Sequence, residues 1–277
     1  MMVGMSSYAF EWNEQTVADL KNSGISAAEV VLTAQNAERF EWDRVRQLSA
    51  QHGIYLWSCH LPFEPFEEFD LSSTDETVRT QTECRFADMI RQGAAVGIDK
   101  FVVHPSAEPI GEYERKTRLA CAVRSLSSLA ETAARNGACI AVENLPRTCL
   151  GNTTEEMAQL VAQNPLLRIC LDTNHLLTEQ PADFVRALGE KIVTLHVSDC
   201  DFTNERHWLP GEGKVDWSSL ITALQAVGYT GAWLYELRLQ APPTILRAHD
   251  LTFADIAENA SALFASREPR VKGKAIT

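Results

Sequence analysis

The chain has 277 residues, of which 45% are hydrophobic and 22% charged, and its 25 basic and 37 acidic side chains leave a formal net charge of −12. That length suits one large core, near the ~250 residues of a single α/β barrel. The acidic balance argues against nucleic acid as a partner, because a phosphate backbone calls for clustered Lys and Arg, and no apolar run reaches the ~20 residues of a membrane span.

Apolar, β-branched runs alternate with amphipathic stretches along the whole chain. Strands are expected at 2–9, 28–32, 54–60, 100–104, 138–143, 167–172, 191–197 and 232–236. Helices are expected between them, the first four over 13–24, 41–53, 74–97 and 113–137, each closed by a glycine that serves as a C-terminal stop. The fifth, 153–163, opens on threonine and carries acids in its first turn. Stretches 181–189, 216–228 and 252–266 complete the set. Eight strands, each followed by a helix, predict a parallel sheet, and the count matches a closed (β/α)8 TIM barrel in one domain over residues 1–267. An open doubly wound sheet is the alternative, but no G-x-G-x-x-G follows the first strand. The polar tail, 268–277, is expected to pack poorly. Seven cysteines without C-x-x-C spacing, several in apolar runs, read as small hydrophobes of a reduced, cytoplasmic protein. The first residues show no basic segment followed by an apolar one, so no secretory signal is expected.

A barrel places its chemistry where the strands end. "IYLWSCH" ends in His60, "FVVH" in His104, "CIAVEN" carries Glu143, and "RICLDTNH" carries Asp172 and His175. "IVTLHVSD" holds His196, "AWLYE" ends in Glu236, and the loop after the seventh strand holds Glu205 and His207. One such residue is readily a satisfied structural group. A carboxylate closing a buried apolar strand, however, is costly unless it is paired or bound to a cation. Several such ends on one rim predict a divalent metal site of mostly oxygen ligands with imidazole, suited to Mn2+ or Zn2+ and also compatible with Mg2+ or Co2+.

The motifs "HLPF" (60–63), "VVHPS" (102–106), "VENLP" (142–146), "LDTNH" (171–175), "LHVSD" (195–199), "ERHWLPGEGKVDW" (205–217) and "YELR" (235–238) together resemble the xylose-isomerase-like TIM-barrel superfamily. That group includes sugar isomerases and epimerases, dehydratases and type IV apurinic endonucleases. In its sugar branch the resemblance implies one metal held by Glu143, Asp172, His196 and Glu236, with the two glutamates also acting as the acid/base pair. His175 matches a neighbouring substrate or metal position, and Arg206 matches an arginine that contacts substrate in some members. In the endonuclease branch it implies three zinc ions on those positions together with His60, His104, His175, Glu205 and His207, although Glu205 stands where that pattern has aspartate. Phe63 and Trp208 are expected to cover an apolar sugar face.

These readings converge on a metal-dependent sugar or sugar-phosphate isomerase or epimerase that works through an enediolate. A metal-dependent lyase or dehydratase, an endonuclease-like zinc phosphodiesterase and a non-catalytic metal-binding barrel are the alternatives. Against the endonuclease stand the net charge and four acids, Glu64, Glu67, Glu68 and Asp70, just after His60. The expected partner is a small sugar, with neither nucleic acid nor membrane; a homo-oligomer is compatible with the sequence.

Overall fold

The computed structural model describes residues 1–276. The barrel strands are β1 (Met2–Ser6), β2 (Ala27–Val31), β3 (Tyr55–His60), β4 (Lys100–Val103), β5 (Cys139–Glu143), β6 (Arg168–Asp172), β7 (Ile192–His196) and β8 (Ala232–Tyr235). They form a parallel sheet in the order β7-β6-β5-β4-β3-β2-β1-β8. The ring closes just above β7, where Val197 bridges Tyr235 and its N–H donates to Leu234 O at 2.8 Å. The expected (β/α)8 barrel is therefore the observed fold.

Among the described residues, eight α-helices surround the strands: α1 (Glu14–Asn22), α2 (Trp42–His52), α3 (Glu76–Ala95), α4 (Glu112–Arg135), α5 (Thr154–Ala162), α6 (Pro181–Leu188), α7 (Trp217–Ala226) and α8 (Phe253–Phe264). Their ends follow local chemistry. Asn13, Thr153, Asp216 and Thr252 cap first turns with side-chain oxygens. Gly53, at φ +64°, closes α2 in the left-handed region that glycine enters without penalty. No helix among the described residues is long and apolar enough to cross a membrane, and the seven cysteines form no disulfide.

Side chains alternate in and out along each strand, and the inward set changes character with height. The main core lies between strands and helices and includes Phe101, Phe184 and Trp233. Inside the ring, small apolar groups fill the lower part: Ala27, Ala232 and Leu234 on one side, Val102, Ala141 and Cys170 on the other. The next inward position on each of these strands is polar: Glu29, Glu236, His104, Glu143 and Asp172. The apolar floor closes the ring from below, and of the polar layer above it His104, Glu143 and Glu236 line a cavity at the C-terminal rim.

Two differences from expectation have identifiable causes. The first strand stops at Ser6 instead of running to residue 9, because the chain turns and Ala9 N–H donates to Ser6 O. The C-terminal tail packs rather than floating. Within it, β10 (Lys274–Ala275) pairs antiparallel with β9 (Ile245–Leu246), and Gly273 N–H donates to Glu212 at 2.7 Å. Glu212 is also gripped by Arg247 through two hydrogen bonds of 2.7 and 2.8 Å, so one buried carboxylate anchors both segments.

Candidate active site

Four side chains from adjacent strand ends meet at the centre of the rim. Glu143 from β5, Asp172 from β6, His196 from β7 and Glu236, one residue past β8, each present a ligand atom within 4.8 Å of the others. All four are buried. His196 Nδ1 lies 3.1 Å from Glu143 Oε1, 3.4 Å from Glu236 Oε2 and 4.0 Å from Asp172 Oδ2. Asp172 Oδ1 accepts a 2.6 Å hydrogen bond from Asn174 N–H, whereas its buried Oδ2 accepts no hydrogen bond among the described residues, with His175 Nδ1 at 3.5 Å.

Three carboxylates this close, out of water, cannot all ionise without positive charge beside them. Burial pushes the Glu236 carboxyl up to about 8; His196 opposes the shift, and Glu143 and Asp172 reinforce it. Burial also works against the charge on Glu143, yet His196, His104 and His60 hold it well below the usual carboxylate range. The orphaned Asp172 oxygen, the carboxylate crowding and one inward imidazole nitrogen fit a divalent cation, and this donor set matches metals of the Mn2+ and Zn2+ type.

Two further groups flank the centre. His60 Nε2 and His104 Nε2 lie 3.1 and 3.3 Å from Glu143 Oε2, and on the other side His175 Nε2 lies 3.2 Å from Glu205 Oε2 with His207 close by. His60, His175 and His207 each direct Nδ1 at a backbone carbonyl, of Leu61, Asn144 and Glu236 respectively, so each ring turns Nε2 towards the cavity. Arg147 clamps Glu205 at 2.6 Å and also grips Glu108, placing a fixed positive charge beside the outer group. Burial raises the cost of charging Glu205, but His175 and Arg147 together bring its carboxyl down to about 2. The cavity enclosed by these residues has a volume of about 330 Å3, within the usual range for a small-molecule site.

The other residues expected at the site are distributed unevenly. Phe63 lines the cavity and stacks on His104, with ring centroids 4.4 Å apart. Arg206 lines an adjoining cavity with Arg238, and its guanidinium is paired with Asp201 at 2.9 Å. Trp208 does not reach either cavity: it is 3% exposed and donates Nε1–H to Thr244 at 2.9 Å. Three further residues belong to the rim. Arg147, Glu108 and Tyr8 line the cavity from loops whose sequences carry no distinguishing signal. A fourth, Glu29, did carry one: it is a lone acid inside the apolar run "AAEVV".

The loop after β7 owes its shape to a different acid. Asp199 is fully buried and accepts hydrogen bonds from the N–H groups of Cys200, Gly211 and Val215 and from Trp217 Nε1–H, at 2.8 to 3.1 Å. A side chain at Gly213 would sit 2.3 Å from its Oδ1. Asp199→Ala therefore strands several buried donors and is expected to cost about 3 kcal/mol or more, read as a lowered urea midpoint with unchanged slope. A midpoint within error of the parent would show that the loop is held by other contacts.

The fold and this rim define a (β/α)8 barrel whose buried mixed carboxylate–imidazole group opens into a small-molecule cavity. Residues 17–253 match the model of the xylose isomerase-like TIM barrel family, and the chain belongs to that family. It is 30% identical over 176 residues to an uncharacterized protein of Methanocaldococcus jannaschii, a match covering 60% of this chain and 60% of that protein, less than two thirds of its length. It is 24% identical over 231 residues to a D-psicose 3-epimerase of Ruminiclostridium cellulolyticum, covering 78% of this chain and 74% of that one. The fold superposes on the crystal structure of D-psicose 3-epimerase with D-tagatose from Clostridium cellulolyticum H10, with a TM-score of 0.77 at 20% identity over 96% of this chain and 98% of that one.

Proposed function

We propose that the protein is a divalent-metal-dependent sugar isomerase or epimerase that moves a proton at the carbon beside a keto-sugar carbonyl. The observation that carries the reading is that Glu143 and Glu236 open into one cavity from strand ends three places apart on the eight-stranded ring, with Asp172 and His196 between them. Glu143, Asp172, His196 and Glu236 would hold one cation, because three anionic side chains converge there and only one in each flanking group. Bound there, the cation supplies the charge that polarises a carbonyl and acidifies the neighbouring C–H.

The chain's own groups do the rest. One glutamate takes the proton, leaving an enediolate, and the other returns a proton from a different side. Return to the same carbon from the opposite face is epimerisation; return to the neighbouring carbon is isomerisation. The imidazoles of His60, His104, His175 and His207 are placed to hold substrate hydroxyls, and Phe63 offers an apolar wall. The similarity to a D-psicose 3-epimerase supports a sugar as substrate. Among the described residues, Arg147 is the one Lys or Arg lining the cavity, already engaged by Glu108 and Glu205, and Glu64 is a further acid there. Such a rim repels a polyanion.

The test is a panel of keto-sugars and their phosphates in deuterated buffer with and without Mn2+. Deuterium should enter a substrate C–H only when the metal is present, and duplex DNA carrying an abasic-site analogue should not bind at physiological salt. Steeply salt-dependent DNA binding with strand incision, and no exchange into any sugar, would overturn the proposal. A companion expectation is a single strong anomalous peak at the zinc edge in zinc-soaked crystals, located among the four central ligands; strong peaks in the flanking groups would replace the one-cation assignment with a polynuclear one.

A further inference from the structure

Glu29 lies in the middle of β2 with both neighbours buried, and is itself 0% exposed. Its Oε2 sits 3.1 Å from His196 Nε2 and accepts a 2.8 Å hydrogen bond from Ser58 Oγ, while its Oε1 is buried without a partner. It does not line the cavity. A carboxylate taken this far out of water is costly unless what it contacts compensates it, and what it contacts is the far nitrogen of the one imidazole in the four-residue group.

The two nitrogens of His196 thus face opposite ways. Nδ1 points at Glu143, Glu236 and Asp172, and Nε2 points at Glu29. We infer that Glu29 is the positioning residue of the metal site: its carboxylate accepts the His196 Nε2–H, and this fixes the ring's orientation and leaves the Nδ1 lone pair directed at the cation. A neutral imidazole carries its proton on one nitrogen only, so holding that proton at Nε2 makes Nδ1 the ligand atom. A carboxylate behind a ligating imidazole also raises its basicity, and loss of such a partner typically weakens metal binding about 10- to 100-fold. Ser58, donating to the same Glu29 oxygen, holds the carboxylate in register across the β2–β3 pair, where Glu29 and Ser58 are direct partners. Glu29 itself acts only through His196, because the bound ring stands between it and the other three ligands.

The inference rests on the proposal that the four-residue group holds a divalent cation, and the experiment separates the two. Mn2+ is titrated into metal-stripped wild type, Glu29→Ala and Glu29→Gln while the free ion is followed by electron paramagnetic resonance. Nitrogen-15 spectra of histidine-labelled, Zn2+-loaded protein report which His196 nitrogen carries the proton. Wild type should show a protonated Nε2 and a ligated Nδ1. Glu29→Ala should weaken Mn2+ by about tenfold or more and lose the slowly exchanging Nε2 proton. If Glu29→Ala does not fold, Glu29→Gln, which keeps the shape and removes the charge, is read by the same tenfold criterion.

A merely structural Glu29 would lower the urea midpoint and leave both readouts of the folded protein unchanged. Weakening of less than tenfold in the variant read, or an unaltered His196 proton, overturns the inference while the metal site stands. Failure of wild type to take up Mn2+ or Zn2+ overturns the metal site, and the role of Glu29 with it.

Discussion

Glu236→Gln is expected to abolish turnover, with a loss of about 10³-fold or more, while the barrel folds normally. The substitution keeps the side chain's shape and removes one metal ligand charge and one proton carrier together. Acid/base catalysis by a placed side chain is commonly worth about 10²–10⁴-fold, and loss of a ligand charge adds to that. The cost to the fold is expected to stay within about 1 kcal/mol, because the Glu236 carboxylate meets His196 Nδ1 at 3.4 Å in a crowd of like charges that glutamine relieves. Glu143→Gln should be equally inactive but less stable, since that carboxylate also meets His60, His104 and His196. The measurements are deuterium exchange into the substrate, metal content after dialysis, and the thermal midpoint. A Glu236→Gln protein with full metal content and full activity would remove Glu236 from both roles.

Stripping the cation with a chelator is the second large effect. Turnover should fall below detection and return on adding Mn2+. Stability should fall as well, because a ligand that binds only the folded state at about 100 times its dissociation constant contributes about 2.7 kcal/mol. For a chain of this size that corresponds to roughly 5–10 °C in the thermal midpoint. Asp172→Asn sharpens the test. The Asp172 backbone N–H is bound by Asn144 Oδ1 at 2.8 Å and its Oδ1 by Asn174 N–H, so the one unsatisfied atom is Oδ2. The variant should keep the stripped protein's midpoint and lose most of the rise with added metal. A wild-type midpoint that does not respond to Mn2+, Zn2+, Mg2+ or Co2+ would leave the carboxylate cluster without the cation argued for it.

Much of this molecule could be read along the chain, because the signals involved are local. A helix stop at Gly53 or a cap at Thr153 depends on a few neighbouring residues, and the eight alternating units arise from patterns no longer than a helix. The rim residues were legible for a related reason. A barrel sends every strand's C-terminal end to one face, so a polar residue that closes an apolar run is already placed there, as Glu143, Asp172, His196 and Glu236 are.

What the chain could not disclose depends on register and closure. Glu29 meets His196 across 167 positions of sequence because β2 and β7 face each other through the ring. The nitrogen that His196 turns inward is decided by that contact and not by any neighbour in the chain. Trp208 looked available in "RHWLPG", yet the bridge between Asp199 and Trp208 folds the loop back and buries it. The polar tail looked loose, yet Glu212 and a short β pairing tie it down. Local patterns determined which elements form and which polar groups reach the rim. Only the closed barrel decided which of those groups touch, because pair distances are set by strand register and ring closure, to which residues far apart in the chain contribute jointly.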